Sequence, residues 1–285
     1  MDSYVCAIAG GKGGVGRTTT AINLGTALEA QAYDVVVVDA DLGMSNVAAM
    51  MGAEPDKTIH DVLAGNATVE EALVELDSGL TLLPGEWAIE AYGDADAAQL
   101  RDVVETLRQS YDVVLIDTSA GISHEKTVSV GLADGTVLVT TASDVSLADA
   151  HKTAQLVERV GGTVLGTVLT CVTTSAQVTD AHERLEHPLL GAIPEELSIA
   201  SEPLVVTDES SVAGEAYGSL SGTLMAIMFD GADPSVIDVV FEPEWVDESE
   251  EDEDDEDDSS GDGGEPDQDD DDDDDDGGGV LGLFN

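Results

Sequence analysis

Short apolar runs alternate along the chain with longer segments in which apolar residues recur every three or four positions. The short runs are rich in Val, Ile and Leu and are apolar on both faces, as buried parallel strands are. The longer segments have the period of amphipathic helices. Strands are predicted at residues 4–9, 35–39, 80–83, 113–117, 136–141, 164–170 and 189–193, and helices at 18–30, 97–109, 147–160 and 209–228. This alternation predicts a doubly wound α/β domain, with a mainly parallel sheet and helices on both faces.

The last predicted helix has one apolar stripe, because apolar residues recur in it every four positions. The stripe comprises Val212, Ala216, Leu220, Leu224 and Met228. This spacing predicts a helix that packs on the domain, and the segment is too polar to span a membrane.

The strand and helix pattern stops near residue 230 and divides the chain into four predicted parts. Residues 1–230 form the domain, 231–246 a linker or docking segment, 247–279 a tail and 280–285 an apolar tip. The tail is almost entirely Asp, Glu, Gly and Ser, and includes eight consecutive aspartates. It buries too little apolar area to offset the entropy of ordering, so it is predicted to be disordered.

The net charge of −52 is extreme, and the tail explains only part of it. Residues 1–240 contain 37 acidic and all nine basic residues, a net charge of −28. In about 1 M salt the Debye length falls to roughly 3 Å and this self-repulsion is screened. The composition therefore predicts a cytoplasm with molar salt, as in halophilic archaea. It also argues against direct nucleic-acid binding, which needs clustered Lys and Arg.

A glycine-rich segment joins the first predicted strand to the first predicted helix. Its glycines allow backbone N–H groups to close around phosphate oxygens, and the helix N-terminus adds positive potential. Arg17 stands where the phosphate-binding P-loop motif has Lys. A planar guanidinium can still bind phosphate, but it preserves the geometry needed for catalysis less well than the compact ammonium of Lys. Thr18 retains the hydroxyl that is expected to bind Mg2+. The candidate phosphate-binding residues are Gly11, Lys12, Gly13, Gly14, Val15, Gly16, Arg17, Thr18 and Thr19.

The segment from Gly10 to Thr19 resembles the deviant Walker A motif of the MinD/ParA family, and of archaeal MinD-like proteins in particular. Lys12 occupies the position of that family's signature lysine, which reaches the phosphates of a partner subunit. The resemblance therefore implies an ATP-dependent homodimer. It covers about residues 3–228.

Other segments extend the resemblance. Asp41 matches the switch I aspartate that orients the attacking water, and Asp39 would lie near Mg2+. Asp117 matches the Walker B aspartate that holds Mg2+, and Gly121 the switch II glycine whose N–H senses the γ-phosphate. Thr170 stands where relatives place an asparagine that contacts adenine.

The resemblance implies a Mg2+-dependent ATPase that acts as a dimerising switch and positions division, motility or chemosensory machinery. Lys12, Asp41 and Asp117 would be its catalytic residues, and Thr18, Asp39 and Asp117 its metal-binding residues. The alternative is a nucleotide-binding adaptor with little or no turnover, which Arg17 favours.

Two other functional classes of the same fold fit less well. An iron–sulfur carrier or a nitrogenase-type reductase needs paired cysteines, whereas Cys6 and Cys171 are far apart in apolar runs that predict buried packing. A biosynthetic ligase or amidase would generally lack the signature lysine.

The location of the protein is predicted from its ends. No run of 18 apolar residues exists and the chain starts with a strand-like segment, so a cytoplasmic protein is expected. The apolar tip is predicted to engage a protein groove or the membrane surface, which would make the protein peripheral at a membrane or a cell pole. The alternative is a loose solubilising tail with an incidental apolar end.

Overall fold

The predicted apolar runs form the strands of one sheet in the computed structural model, which describes residues 3–86, 99–121, 123–200, 203–208 and 210–236. The strands are β1 (Tyr4–Ala9), β2 (Val35–Ala40), β3 (Val74–Glu75), β4 (Thr81–Leu83), β5 (Val113–Thr118), β6 (Gly135–Thr141), β7 (Val164–Val172) and β8 (Leu189–Pro194). Their order across the sheet is β3-β4-β2-β5-β1-β6-β7-β8. All neighbours are parallel except β3 and β4. The prediction of a mainly parallel sheet is confirmed.

The four predicted helices are present, with ends shifted by a few residues. The helices are α1 (Arg17–Glu29), α2 (Val47–Met50), α3 (Ile59–Leu63), α4 (Val69–Ala72), α5 (Leu100–Leu107), α6 (His124–Leu132), α7 (Asp144–Arg159), α8 (Ser175–Arg184) and α9 (Val212–Asp230). Short 3-10 turns cover Leu197–Ala200, Val205–Thr207 and Pro234–Val236. Helices α2, α3, α4, α6 and α8 and strand β3 were not predicted.

Both faces of the sheet are covered, as continuous apolar strands require. Successive residues of β2 and β5 point to opposite faces, so Val37 and Leu115 belong to one core cluster and Val38 and Ile116 to another. Helices α1 and α9 complete the first cluster, and α3 and α5 complete the second. The site-bearing strand β1 is thereby held between two packed layers.

Helix α9 packs on the first cluster, which confirms its predicted role. Its buried face is broader than the predicted stripe, because Tyr217 and Ile227 are buried together with Leu220 and Leu224. The ring of Tyr217 is inserted toward α1, where its hydroxyl lies 3.3 Å from Thr20 Oγ1. Burial of α9 therefore supports the helix that begins at the glycine-rich loop.

The prediction that both cysteines are buried is wrong for one of them. Cys6 is buried in β1, whereas Cys171 is exposed. Cys171 has a φ of 53° and lies where the pairing of β7 with β8 shifts register, between Leu169 and Val172. This bulge turns a side chain out of an otherwise buried strand.

The described residues all belong to one compact unit. The predicted disordered tail (247–279) and apolar tip (280–285), and residues 237–246 of the predicted linker, lie outside the described residues. Among the described helices, none combines the length and the apolar character needed to cross a bilayer.

Candidate functional site

The glycine-rich loop follows β1, which lies between β5 and β6 in the middle of the sheet. Strand β1 leads into a helix on one side of the sheet, and the connection order reverses there. Ligands of open α/β sheets bind at such a point, beyond the carboxyl ends of the strands. The carboxyl ends of β2 and β5 place Asp39 and Asp117 in register beside it.

The N-terminus of α1 is built to hold an anion. Gly16 precedes the helix with a φ of +83°, a left-handed conformation that favours glycine. No side chain caps this end and no acidic residue lies in its first turn. The free N–H groups and the helix dipole therefore point at the loop without a carboxylate of their own.

Two contacts determine the position of the loop against the domain. A Cβ at Gly11 would overlap the backbone oxygen of Asp149 in α7, so only glycine fits there. Beneath the loop, the buried Thr170 hydroxyl lies 2.8 Å from the carbonyl oxygen of Val15 and 3.1 Å from that of Thr140. Thr170 thus supports the loop, and its predicted contact with adenine stays a prediction.

The guanidinium of Arg17 is buried at the start of α1. Within the described residues, its Nε and Nη1 atoms have no hydrogen-bond partner. Its Nη2 atom lies 3.9 Å from Oδ2 of Asp41, which is an ion pair but not a hydrogen bond. A buried cation with unused donors at a helix N-terminus suits the oxygens of a phosphate group.

Asp117 and Thr18 form the centre of a candidate cation site. The hydroxyl of Thr18 donates to Oδ2 of Asp117 over 2.5 Å, while the buried Oδ1 has no partner in the described part of the chain. Burial raises the pKa of Asp117 to about 7, and the charge of Asp39 adds to this effect. Two neighbouring buried carboxylates and one unused oxygen favour a bound cation.

The donor set fits Mg2+ better than a cation held by protein ligands alone. Among the described residues, no group of three or more His, Cys, Asp or Glu residues could hold a metal ion. Mg2+ usually keeps several waters and binds through one or two carboxylates together with substrate phosphates. The Thr18 hydroxyl and the Asp117 carboxylate are suited to such an ion. The predicted roles of Thr18, Asp39 and Asp117 as metal-binding residues stay predictions.

Asp39 organises the loop after β2. It accepts hydrogen bonds from the Ser45 hydroxyl (2.5 Å) and from the N–H groups of Asp41 (3.2 Å) and Val47 (3.3 Å). Burial raises its pKa, and these hydrogen bonds oppose the rise. Burial also raises the pKa of Asp41, and Arg17 opposes that rise. The fold thus brings Asp41 next to Arg17 of the loop, and its predicted role in orienting water stays a prediction.

Lys12 differs from the other cations of the site in its exposure. It lies at the surface, next to the exposed Gly13 and Gly14, and forms no ion pair or hydrogen bond among the described residues. A lysine side chain at this place is free to reach groups outside its own chain.

Lys126 is a residue of the site that sequence reasoning missed. It lies in the first turn of α6, its side chain is completely buried, and its Nζ donates to the carbonyl oxygens of Gly10 (2.5 Å) and Gly121 (3.0 Å). Gly121 in turn donates its N–H to Gly11 over 3.3 Å. The signal for Lys126 in the sequence is a lysine soon after Gly121, in a chain that has four lysines.

Comparisons with known proteins agree with this geometry. A family model described as ParA, NUBPL iron-transfer P-loop NTPase, matches residues 3–221. An uncharacterised ATP-binding protein of Methanocaldococcus jannaschii is 31% identical over 239 residues, which cover 81% of this chain and 90% of that protein. The chain belongs to the ParA/MinD family of P-loop NTPases.

Solved structures of the ParA/MinD family support the same assignment. The cell division ATPase MinD of Pyrococcus furiosus has a TM-score of 0.75 and 32% identity, over 80% of this chain and all of that one. The septum site-determining protein MinD of Pyrococcus horikoshii, solved with Mg-ADP, has a TM-score of 0.75 and 30% identity, over 81% of this chain and 99% of that one. The doubly wound α/β fold predicted from the sequence is confirmed, as the fold of a P-loop NTPase.

Iron transfer, which appears in the description of the ParA/MinD family model, has no cysteine pair to support it here. The chain contains two cysteines, Cys6 and Cys171. Cys6 is buried within β1, and burial raises its pKa to about 12. A thiol held in its neutral form is a poor metal ligand, because the thiolate is the form that binds metals.

Proposed function

We propose that this protein is a Mg2+-dependent, slowly hydrolysing ATPase that dimerises with ATP bound and positions other cellular machinery. The observation that carries the proposal is the pair of unused polar groups beside one loop. Arg17 offers buried donors with no partner, and Asp117 offers a buried oxygen with no partner. Their spacing around the N-terminus of α1 suits a phosphate chain with its cation.

Phosphate binding would rest on the backbone of the loop. The N–H groups of the loop and of the first turn of α1 point outward at the helix end that carries positive potential. Arg17 adds a charge that does not depend on pH, and its unused donors match two phosphate oxygens. These groups would hold the β- and γ-phosphates without moving.

Cation binding would involve Thr18 and Asp117 directly and Asp39 through its charge. The Thr18 hydroxyl now donates to Asp117, so it would turn its oxygen toward the ion when Mg2+ is bound. Bound Mg2+ would neutralise charge on the transferred phosphoryl group. Asp39, one strand away, would add negative charge and keep the switch I loop in place.

Hydrolysis would depend on a water molecule oriented by Asp41. Phosphoryl transfer needs little covalent chemistry from a protein, so positioning and electrostatics supply most of the catalysis. The Arg17 guanidinium lies beside the Asp41 carboxylate, and their attraction competes with water for that carboxylate. This competition is the physical reason to expect slow turnover.

Dimerisation would use Lys12. Its exposed ammonium has no partner among the described residues, and the nearby glycines leave the loop open to a second copy. A lysine that reaches the phosphates of the other subunit would make each nucleotide part of the interface. ATP would then act as the timer of assembly.

The cellular role we propose follows the named relatives, which act in cell division and septum placement. The apolar tip, Val280 to Asn285, would attach the dimer to a partner protein or, less favourably, to a membrane. Two copies per dimer would add avidity that one short apolar segment lacks. Deletion of residues 280–285 should abolish localised foci of a tagged protein and leave ATP turnover intact; foci that persist would remove the tip from this account.

Nucleotide binding tests the proposal directly. Calorimetric titration of the full chain with ATP in molar KCl should show binding with Mg2+ and much weaker binding with EDTA. Asp117→Asn should remove most of this Mg2+ dependence, whereas the control Thr106→Ala, a hydroxyl within α5, should keep it. Slow phosphate release should accompany binding. A chain that binds no ATP in Mg2+ contradicts the proposal, and one that binds ATP without any turnover favours the adaptor.

A further inference from the structure

Lys126 lies completely inside the protein, although lysine is rarely found buried. The chain has four lysines, and one of them occupies this interior position. Burial of an ammonium carries a large desolvation cost unless its hydrogen bonds are satisfied. The contacts of Lys126 must therefore satisfy the hydrogen bonds of its ammonium.

The contacts of Lys126 join two segments that are distant in sequence. Its Nζ donates to the carbonyl oxygen of Gly10, 116 residues away, and to that of Gly121. Its backbone N–H donates to Oγ of Ser123, the residue that caps α6. Lys126 therefore fastens the loop before α6 both to its own helix and to the entrance of the P-loop.

Gly121 is held on both sides of its α-carbon. Its N–H donates to Gly11 over 3.3 Å, and its carbonyl accepts from Lys126 over 3.0 Å. Its φ is +69°, which glycine tolerates far better than other residues. Because the two neighbouring peptide planes are both fastened, the direction of the Gly121 N–H is set by Lys126 as well as by Gly11.

We propose that Lys126 is a positioning residue for the nucleotide switch: it clamps Gly121 to the P-loop, so that the Gly121 N–H can exchange Gly11 for the γ-phosphate of ATP and move α6. This inference rests on the proposed nucleotide binding. ADP lacks the γ-phosphate and leaves the Gly121–Gly11 hydrogen bond in place. Through this clamp, the change at Gly121 that distinguishes ATP from ADP is transmitted to α6, the helix that follows.

The electrostatic surroundings are consistent with this role. Burial and the positive charge of Arg17 lower the pKa of Lys126 to about 7, and the charge of Asp41 opposes this shift. Arg17 and Asp41 are the charged groups of the P-loop and switch I that act on it. Lys126 is thus coupled electrically, as well as by hydrogen bonds, to the groups that would surround the phosphates.

The test compares ATP with ADP rather than measuring activity alone. Lys126→Met keeps a similar side-chain length but removes the ammonium, and Lys57→Met, in a partly exposed ion pair with Asp61, is the matched control. Affinity for a non-hydrolysable ATP analogue should fall about tenfold in Lys126→Met, because the Gly121 carbonyl loses its hydrogen bond to the ammonium. Affinity for ADP should stay within about twofold, and Lys57→Met should match the wild type in both.

Each outcome separates the two proposals. Equal losses of ATP-analogue and ADP affinity, or no loss of either, overturn the role of Lys126 while nucleotide binding by the wild type stands. A wild type that binds neither nucleotide overturns both.

Hydrogen exchange on the wild type is a second measurement that does not depend on the folding of a variant. In peptides that cover 119–132, the ATP analogue should change exchange at both the Gly121 loop and α6, whereas ADP should change neither. Identical changes with the two nucleotides would overturn the inference.

Discussion

The Arg17 guanidinium and the Asp41 carboxylate lie 3.9 Å apart, so the P-loop cation faces the residue that we expect to orient water. Both groups are largely shielded from solvent, and such pairs are screened less than surface pairs. The contact joins the P-loop to switch I. The replacement of the usual P-loop lysine by Arg17 therefore has a physical consequence, which is this ion pair with Asp41.

Replacement of Arg17 by Lys should speed hydrolysis. A compact ammonium reaches the phosphates as a point charge and releases Asp41 to orient water. We expect turnover to rise roughly tenfold, which corresponds to about 1.4 kcal/mol, with ATP affinity nearly unchanged. Phosphate release at saturating ATP measures this, with Arg159→Lys at the end of α7 as the control. An unchanged rate would show that the guanidinium does not restrain Asp41.

Gly11 and Gly13 provide a matched pair for testing how the P-loop is held. A Cβ at Gly11 would overlap the backbone of Asp149, whereas a Cβ at Gly13 would meet nothing within 4 Å. Gly11→Ala should lower the free energy of unfolding by about 1–3 kcal/mol, the usual cost of overpacking. Gly13→Ala should leave it nearly unchanged. Equal denaturant midpoints for the two variants would mean that α7 does not support the loop.

The buried amine of Lys126 should make stability depend on pH. Its pKa is about 7 in the folded chain and ordinary, near 10.5, in the unfolded chain. Between these values the unfolded chain binds more protons, so the contribution of Lys126 to the free energy of unfolding rises with pH. Lys126→Met should be most stable relative to the wild type below pH 7, and this difference should shrink toward pH 10.5. Denaturant unfolding across this range measures the difference; a constant offset would contradict the lowered pKa.

Much of the fold could be predicted because the strands are long apolar runs and the P-loop residues are contiguous. Helix α8 was missed because its exposed faces are polar and weaken the apolar period. A capping box, with Thr174 and Gln177 hydrogen-bonded to each other's backbone, was the signal that could have found it. Thr68 and Glu71 mark α4 in the same way. Helices α2 to α4 are too short for periodicity to show.

The residues of the candidate site also divide into those that could be predicted from the sequence and those that could not. Positions carried by a local motif, such as those of Gly16, Thr18 and Asp117, could be proposed from the sequence, and their roles stay predictions. The clamp of Lys126 on Gly10 could not, because contacts between residues 116 apart depend on the topology of the sheet. Cys171 was misjudged for a related reason: the bulge in β7 reverses the side that an alternating strand would present.

The central claim is that ATP assembles two copies of this chain through Lys12. Light scattering of the full chain in molar KCl with Mg2+ is the most direct test. With a non-hydrolysable ATP analogue, the mass should change from that of one 29.4-kDa chain to that of two, and with ADP it should not. Lys12→Ala should stay monomeric with the ATP analogue, while Lys57→Ala should dimerise like the wild type. The same mass with and without the ATP analogue would contradict the account.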